Sequence, residues 1–152
     1  MMSPAGGHHG LIASRLLRRL GNFVEEKGLG ETYAAETGFL LSQNPDTVRA
    51  PNLAFVAETR VKGFEQHQGF LPLAPDLAAE IVSPNDRFAD VEGKAICWLE
   101  AGVKLVLVID PQTKTVREYR SKDSILVRHE SDIVQGDDVV PGWTLKVSEL
   151  FA

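Results

Sequence analysis

The sequence predicts an α/β (α+β) domain in which helices flank a mixed central sheet. Three observations carry that expectation. Residues 10–27 show the apolar spacing of an amphipathic helix, and the middle of the chain reads strand, strand, helix, strand, strand. Val103–Ile109 is a continuous apolar run with several β-branched residues, the pattern of a strand buried on both faces. A length of 152 residues without internal repeats or linker-like stretches points to one domain, 1–152.

Each element has its own signal. Ile12, Ala13, Leu16, Leu17, Leu20, Phe23 and Val24 fall on one arc of a helix, with Arg15, Arg18, Arg19 and Asn22 opposite. Gly28 and Gly30 supply a left-handed turn to end it. Short strands are expected near Thr32–Ala34 and Gly38–Ser42, and a clearer one at Leu53–Ala57, entered through Pro51. A loop rich in Gly, Gln and Pro (60–74) leads to the strand Leu77–Val82, which Ser83-Pro84-Asn85-Asp86 stops while offering a helix N-cap. A helix over 86–101 ends at Gly102, and Asp110-Pro111-Gln112-Thr113 turns Val103–Ile109 into a hairpin with Thr115–Arg120. Short extra strands and turns close the C-terminal part. The loop between Leu53–Ala57 and Leu77–Val82 has no helical period, so that pair is expected to be antiparallel. A helix joins Leu77–Val82 to Val103–Ile109, so those are expected to be parallel through a right-handed crossover.

Bulk properties exclude several classes. The longest apolar runs are far too short to cross a bilayer, and MMSPAGGHHG lacks the basic and apolar regions of a secretory signal. A single cysteine, Cys97, excludes an internal disulfide and fits a reducing cytoplasm. The formal net charge of −5 argues against binding nucleic acid through broad phosphate neutralisation, although a local basic groove is compatible with it. No catalytic triad order, phosphate loop, dinucleotide fingerprint or zinc spacing occurs.

The predicted topology brings particular polar side chains to one end of the sheet. Asn52 opens one strand of the antiparallel pair and Glu80 lies near the end of the other. Alternation puts Ala78, Glu80 and Val82 on one face, so Glu80 is a carboxylate set among small and apolar neighbours. Such a group is costly to bury unless it is paired or bound to a cation. Lys94, at the edge of the apolar arc of the 86–101 helix beside Trp98, can lay its stem along the core and send its ammonium toward Glu80. Carboxylates with a nearby lysine suit metal-assisted phosphodiester hydrolysis, in which the acids hold Mg²⁺ and the lysine steadies the attacking water.

The segments RAPNLAFV (49–56), PDLAAEIVSPND (75–86), the Asp90–Lys94 spacing, EAGVKLVLVIDP (100–111) and PGWTLKVSELF (141–151) together resemble the Uma-type family of putative restriction endonucleases, in order and over nearly the whole chain. The resemblance implies a PD-(D/E)XK, restriction-endonuclease-like core, a Mg²⁺ (or Mn²⁺) cofactor, DNA as substrate and a homodimer. It implies that Glu80 is a metal ligand and catalytic acid, and that Lys94 is the catalytic lysine, moved from the strand to the following helix. The family's first acid, in an R-x-P-D step, falls on Asn52. Longer members begin with an acid-bearing strand pair ahead of Ser3-Pro4-Ala5-Gly6-Gly7, which this chain is expected to lack.

Two functions from different classes follow. The first is a metal-dependent endonuclease acting on DNA, weakened because Asn52 replaces a charged ligand. The second is a catalytically silent homodimeric binding or assembly module that retains the fold. Plainer roles stand beside the sharp ones: Glu80–Lys94 as an ion pair, Asp90–Lys94 as a helix pair at i,i+4, Asp86 and Asp110 as capping or turn residues, and Asp76 as a turn residue. His8 and His9 read as part of a flexible 1–9, Arg15, Arg18 and Arg19 as a solvated helix face, and Trp98 and Trp143 as core.

Overall fold

The computed structural model describes residues 4–152. Helix α1 (Gly7–Lys27) forms as its periodicity demands, with Ile12, Leu16, Leu20 and Val24 buried along one stripe. Gly28 ends it at φ 63°, and its N–H and that of Leu29 return to the carbonyls of Glu25 and Val24. Each of those four side chains contributes roughly 1.5–3 kcal/mol by leaving water. The helix starts earlier than its periodicity suggests. Gly7, His8 and His9 belong to it, and residues 1–3 lie outside the described residues.

The chain continues through β1 (Gly30–Ala34), β2 (Phe39–Ser42), β3 (Thr47–Arg49), β4 (Leu53–Ala57), α2 (Glu58–Val61), β5 (Leu77–Ile81) and α3 (Phe88–Glu100). It ends with β6 (Leu105–Asp110), β7 (Thr115–Ser121), β8 (Ser124–Arg128), β9 (Ile133–Gln135), β10 (Thr144–Lys146) and α4 (Ser148–Phe151). The main sheet has six strands in the order β1-β4-β5-β6-β7-β8. β4 and β5 are antiparallel and β5 and β6 parallel, as expected from the connections between them. β1, β7 and β8 are each antiparallel to their neighbours, so the sheet is mixed.

The short strand expected near Gly38–Ser42 is present as β2, which pairs with β3 in a separate two-stranded sheet, and its Leu40 N–H bonds to the Leu71 carbonyl at 2.8 Å. Two local expectations are corrected. The loop expected over 60–74 begins in the short helix α2. No side chain caps α3, whose N-cap is Arg87; Asp86 instead accepts the Ser83 N–H at 2.8 Å, closing a turn ahead of the helix.

Two apolar layers sandwich the sheet. On one face α1 packs against Leu53, Phe55, Leu77, Leu105 and Leu107, and the C-terminal segment adds Val134, Trp143, Leu145 and Leu150. On the other, Val91, Ala95 and Trp98 of α3 pack against Ala54, Ala78, Val106, Val108 and Tyr119. β5 is buried along its whole length, Glu80 included. Among the described residues no helix is long and apolar enough to cross a membrane.

Candidate functional site

The antiparallel register pairs Leu53 with Ala79, so the next step places Asn52 opposite Glu80. The row continues across the sheet: Glu80 beside Val108, Val108 beside Arg117 and Arg117 beside Val127. All of these lie on the face that α3 covers with Trp98, while Lys94 is exposed on α3 and acts on Glu80 through its charge. Asn52 and Glu80 thus share one end and one face of the sheet.

Asn52 is tied to the end of β5. Its Oδ1 accepts the Ile81 N–H at 2.8 Å, and its own N–H donates to the Ala79 carbonyl at 3.0 Å. The bond from Ile81 fixes which branch of the amide is oxygen, leaving the NH₂ on the other branch. The Ile81 carbonyl lies 3.1 Å from His9 Nε2, a bond that needs the ring proton on Nε2. Both backbone groups of the last β5 residue are therefore satisfied by side chains from β4's entrance and from α1. His9, read as part of a flexible end, helps to hold the strand on which Glu80 sits.

Glu80 is 7% exposed, and its carboxyl is pushed up to about 7. Burial is the main cause, because it penalises the charged form. The Lys94 ammonium and the Trp98 indole pull the other way, the Asp86 carboxylate adds to the rise, and Arg49 opposes it. Near neutral pH this group is roughly half protonated, which makes it a proton donor or acceptor rather than a fixed charge.

Lys94 belongs to the electrostatic surroundings of Glu80 but forms no ion pair with it within 4 Å among the described residues, nor with Asp90. It is exposed on α3. Arg49, at the end of β3, is the neighbour that the residue-level reading passed over, although it is the arginine of the R-x-P-N step. Trp98, expected as core, is buried at 1% exposure and also contributes to the carboxylate's environment.

Other acidic and basic residues have structural roles. Asp110 accepts the Gln112 N–H at 3.0 Å in a turn, as expected. Asp76 is more than a turn residue: 3% exposed, it accepts the Ala57 N–H at 2.7 Å and meets Arg60 at 3.0 Å and Lys104 at 3.9 Å. It ties the start of β5 to the end of β4. Arg15 and Arg19 are not merely solvated. Arg15 donates to the Leu150 carbonyl at 3.0 Å and Arg19 to Glu149 at 2.7 Å, clasping α4 against α1.

A hard divalent cation takes six or more oxygen ligands, with carboxylates supplying the charge. Here one ionisable ligand, Glu80, is itself reluctant to ionise, and the Asn52 oxygen already serves a backbone N–H. Among the described residues no group of three or more His, Cys, Asp or Glu side chains gathers in a way that would hold a metal ion. These donors do not match a resident divalent cation.

The chain is an α+β domain built on a mixed six-stranded sheet flanked by helices, with Asn52 and Glu80 at one end of the sheet. The sequence matches the Uma2 family, described as putative restriction endonuclease, over residues 1–148, and the chain belongs to that family. Proteins with the restriction-endonuclease-like fold generally use divalent metal ions. The fold is similar to that of a putative nuclease from Anabaena variabilis, with a TM-score of 0.86 at 21% identity, covering 99% of this chain and 84% of that one. No curated protein matches the sequence.

Proposed function

We propose that this chain is a nuclease-like protein directed at DNA phosphodiesters, with hydrolysis held low by the amide at position 52. The observation that carries this reading is the placement of Asn52 opposite Glu80 on the face that Trp98 covers, with the Lys94 charge acting on the carboxylate. Glu80 is the acid–base group of the site, with a pKa near the pH at which a proton can move either way. Lys94 is the exposed cation that steadies an attacking water or a phosphate oxygen. The dication that the resemblance implies, Mg²⁺ or Mn²⁺, lacks the second carboxylate that would hold it.

Asn52→Asp tests this directly. Aspartate keeps an acceptor for the Ile81 N–H and replaces the NH₂ with an oxygen. In the absence of a cation, the introduced carboxylate and Glu80 repel, so the two titrate as a unit and at least one of them at a higher pH. With Mn²⁺ present, calorimetry should find binding at least about tenfold tighter than in the parent, a gain of ~1.4 kcal/mol, and nicking of plasmid DNA should rise with it. Glu80→Ala should abolish both gains. Equal Mn²⁺ binding in parent and variant would overturn the site, and tight binding with rapid cleavage by the parent would show that Asn52 is no defect.

A second reading has its own observation. β8, at the edge of the main sheet, leaves Ile125, Leu126 and Val127 exposed, which favours a catalytically silent module that kept the nuclease fold for assembly. Parent and Asn52→Asp would then both leave plasmid DNA intact under any divalent cation.

A further inference from the structure

The loop that follows α2 turns aromatic side chains outward while its backbone is pinned. Phe64 N–H bonds to the Val61 carbonyl at 2.8 Å, and His67 N–H to the Phe64 carbonyl at 3.0 Å. His67 Nε2 lies 2.9 Å from the Phe70 carbonyl, and Leu71 N–H reaches the Gly38 carbonyl at 3.0 Å. Phe70 is 59% exposed, yet its ring is seated on the backbone of Gly38. A Cβ at that glycine would lie 2.5 Å from Phe70 Cδ1, so any larger residue there would displace the ring.

Tyr33 of β1, Phe64, His67 and Phe70 line one cavity of about 500 Å³, with Glu65 on its wall. Phe64 and His67 meet edge to face with centroids 5.8 Å apart. Among the described residues the lining holds no lysine or arginine, and Glu65 makes no ion pair. Glu65 Oε2 accepts the Gly63 N–H at 2.8 Å, and the carboxylate keeps lone pairs for a further partner. The local field is negative. Burial raises the Tyr33 hydroxyl, and Glu31 and Glu65 raise it further. Exposed rings can serve as stacking platforms for a nucleic-acid strand, but such a field repels its phosphates.

We propose that this cavity is a binding site for a quaternary ammonium group, held against the rings of Tyr33, Phe64 and Phe70 and charge-paired with Glu65. Ring faces attract a cation through their quadrupole. A trimethylammonium group carries no N–H, so it can exchange water for ring faces without leaving a donor unsatisfied. A primary ammonium has three donors and a tight hydration shell, which a lining with one carboxylate does not replace. The site is separate from Glu80. The buried Phe39 ring stands between Tyr33 and Trp98, edge-on to each at 5.9 and 6.4 Å, and Trp98 is the residue that meets that carboxylate. The inference is therefore independent of the chemistry proposed there.

The probe is choline, titrated into the isotope-labelled full chain and followed by NMR. The amide signals of Gly38, Gly69 and Phe70 should shift and saturate, while those of Asn52 and Ile81 stay in place. The neutral isostere, with carbon in place of the ammonium nitrogen, should bind at least about tenfold more weakly. Phe70→Leu keeps apolar bulk without the ring face and should weaken choline about fivefold, whereas Phe70→Trp should bind it at least as tightly as the parent. Glu65→Gln keeps an acceptor for the Gly63 N–H; it should weaken choline about fivefold and leave the isostere unchanged. Circular dichroism should not change, because Phe70 and Glu65 are exposed. A trimethyllysine peptide that binds more tightly than choline would assign the group to a protein partner; the reverse order would assign it to a small molecule. No shift with either, equal binding of choline and its isostere, an unmodified lysine peptide as tight as the methylated one, or saturable shifts with a single-stranded oligonucleotide instead would each overturn the proposal.

Discussion

Two glutamates are buried in adjoining parts of one sheet, and they are treated in opposite ways. Glu118 on β7, 1% exposed, is met by Arg128 and by Arg120 at 3.3 Å, and Arg120 is itself held by Asp137 at 3.0 Å and the Gln135 carbonyl at 2.8 Å. Glu80 on β5 has cations in its surroundings and none in contact. The first arrangement offsets desolvation with geometry and ties β7, β8 and the C-terminal hairpin together. The second leaves the cost standing and shows it as a raised pKa. A buried acid clasped by two cations is architecture; one that meets the Trp98 indole but no cation in contact keeps its pKa where a proton can move either way.

The comparison is broken most forcefully at Glu118. Glu118→Ala strands two arginines, and urea titration should show a loss of about 3–4 kcal/mol, the low part of the range for breaking a buried pair because both arginines reach solvent. A loss below about 1 kcal/mol would mean that the network contributes little.

Glu80 should behave in the reverse sense. Its folded pKa is raised from 4.5 to about 7, so between those values the folded chain holds more protons than the unfolded one. Stability should then fall as pH rises through this window and level off above it. The total fall is about 3 kcal/mol at ~1.4 kcal/mol per unit. Glu80→Gln should remove that slope and make the variant more stable than the parent at about pH 8. Urea midpoints across the window check this, and a slope that persists in the variant would assign it to another group.

Asp76 sharpens the contrast at an intermediate level. Asp76→Asn keeps an acceptor for the Ala57 N–H but loses the charge that faces Arg60 and Lys104, both well exposed. A cost of about 1–2 kcal/mol in thermal or urea unfolding is expected. The smallest effect belongs to the surface: Arg19→Ala, which frees Glu149 of α4, should cost ~0.5–1 kcal/mol. A penalty there as large as at Glu118 would mean that exposure does not govern these pairs.

Much of this was legible in the sequence because it follows from periodicity and connection. The α1 stripe, the apolar β6 run and the helix between β5 and β6 fix the core topology, and alternation along β5 puts Glu80 on the face that α3 covers. What escaped depends on distant partners. Asp76 follows a proline ahead of a strand, and nothing local announces Arg60 or Lys104. Arg15 and Arg19 look like a solvated face until α4 is placed beside them. His9 gained its role from a carbonyl 72 residues away. The clasp of Asn52 on Ile81 was equally hidden, since composition gives the residue type at a strand end but not the backbone group it serves.

The make-up of the two apolar layers also bears on how the chain folds as it is synthesised. The layer under α3 draws on residues from Phe39 to Tyr119, so it can close once that stretch has emerged. The layer under α1 joins Ile12, Leu16 and Leu20 to Trp143, Leu145 and Leu150, nearly the first and last apolar residues of the sequence. Contacts of such long sequence separation form late. The α1 stripe can therefore meet Leu53, Phe55 and Leu77 of the sheet early, while its layer is completed only when Trp143, Leu145 and Leu150 arrive.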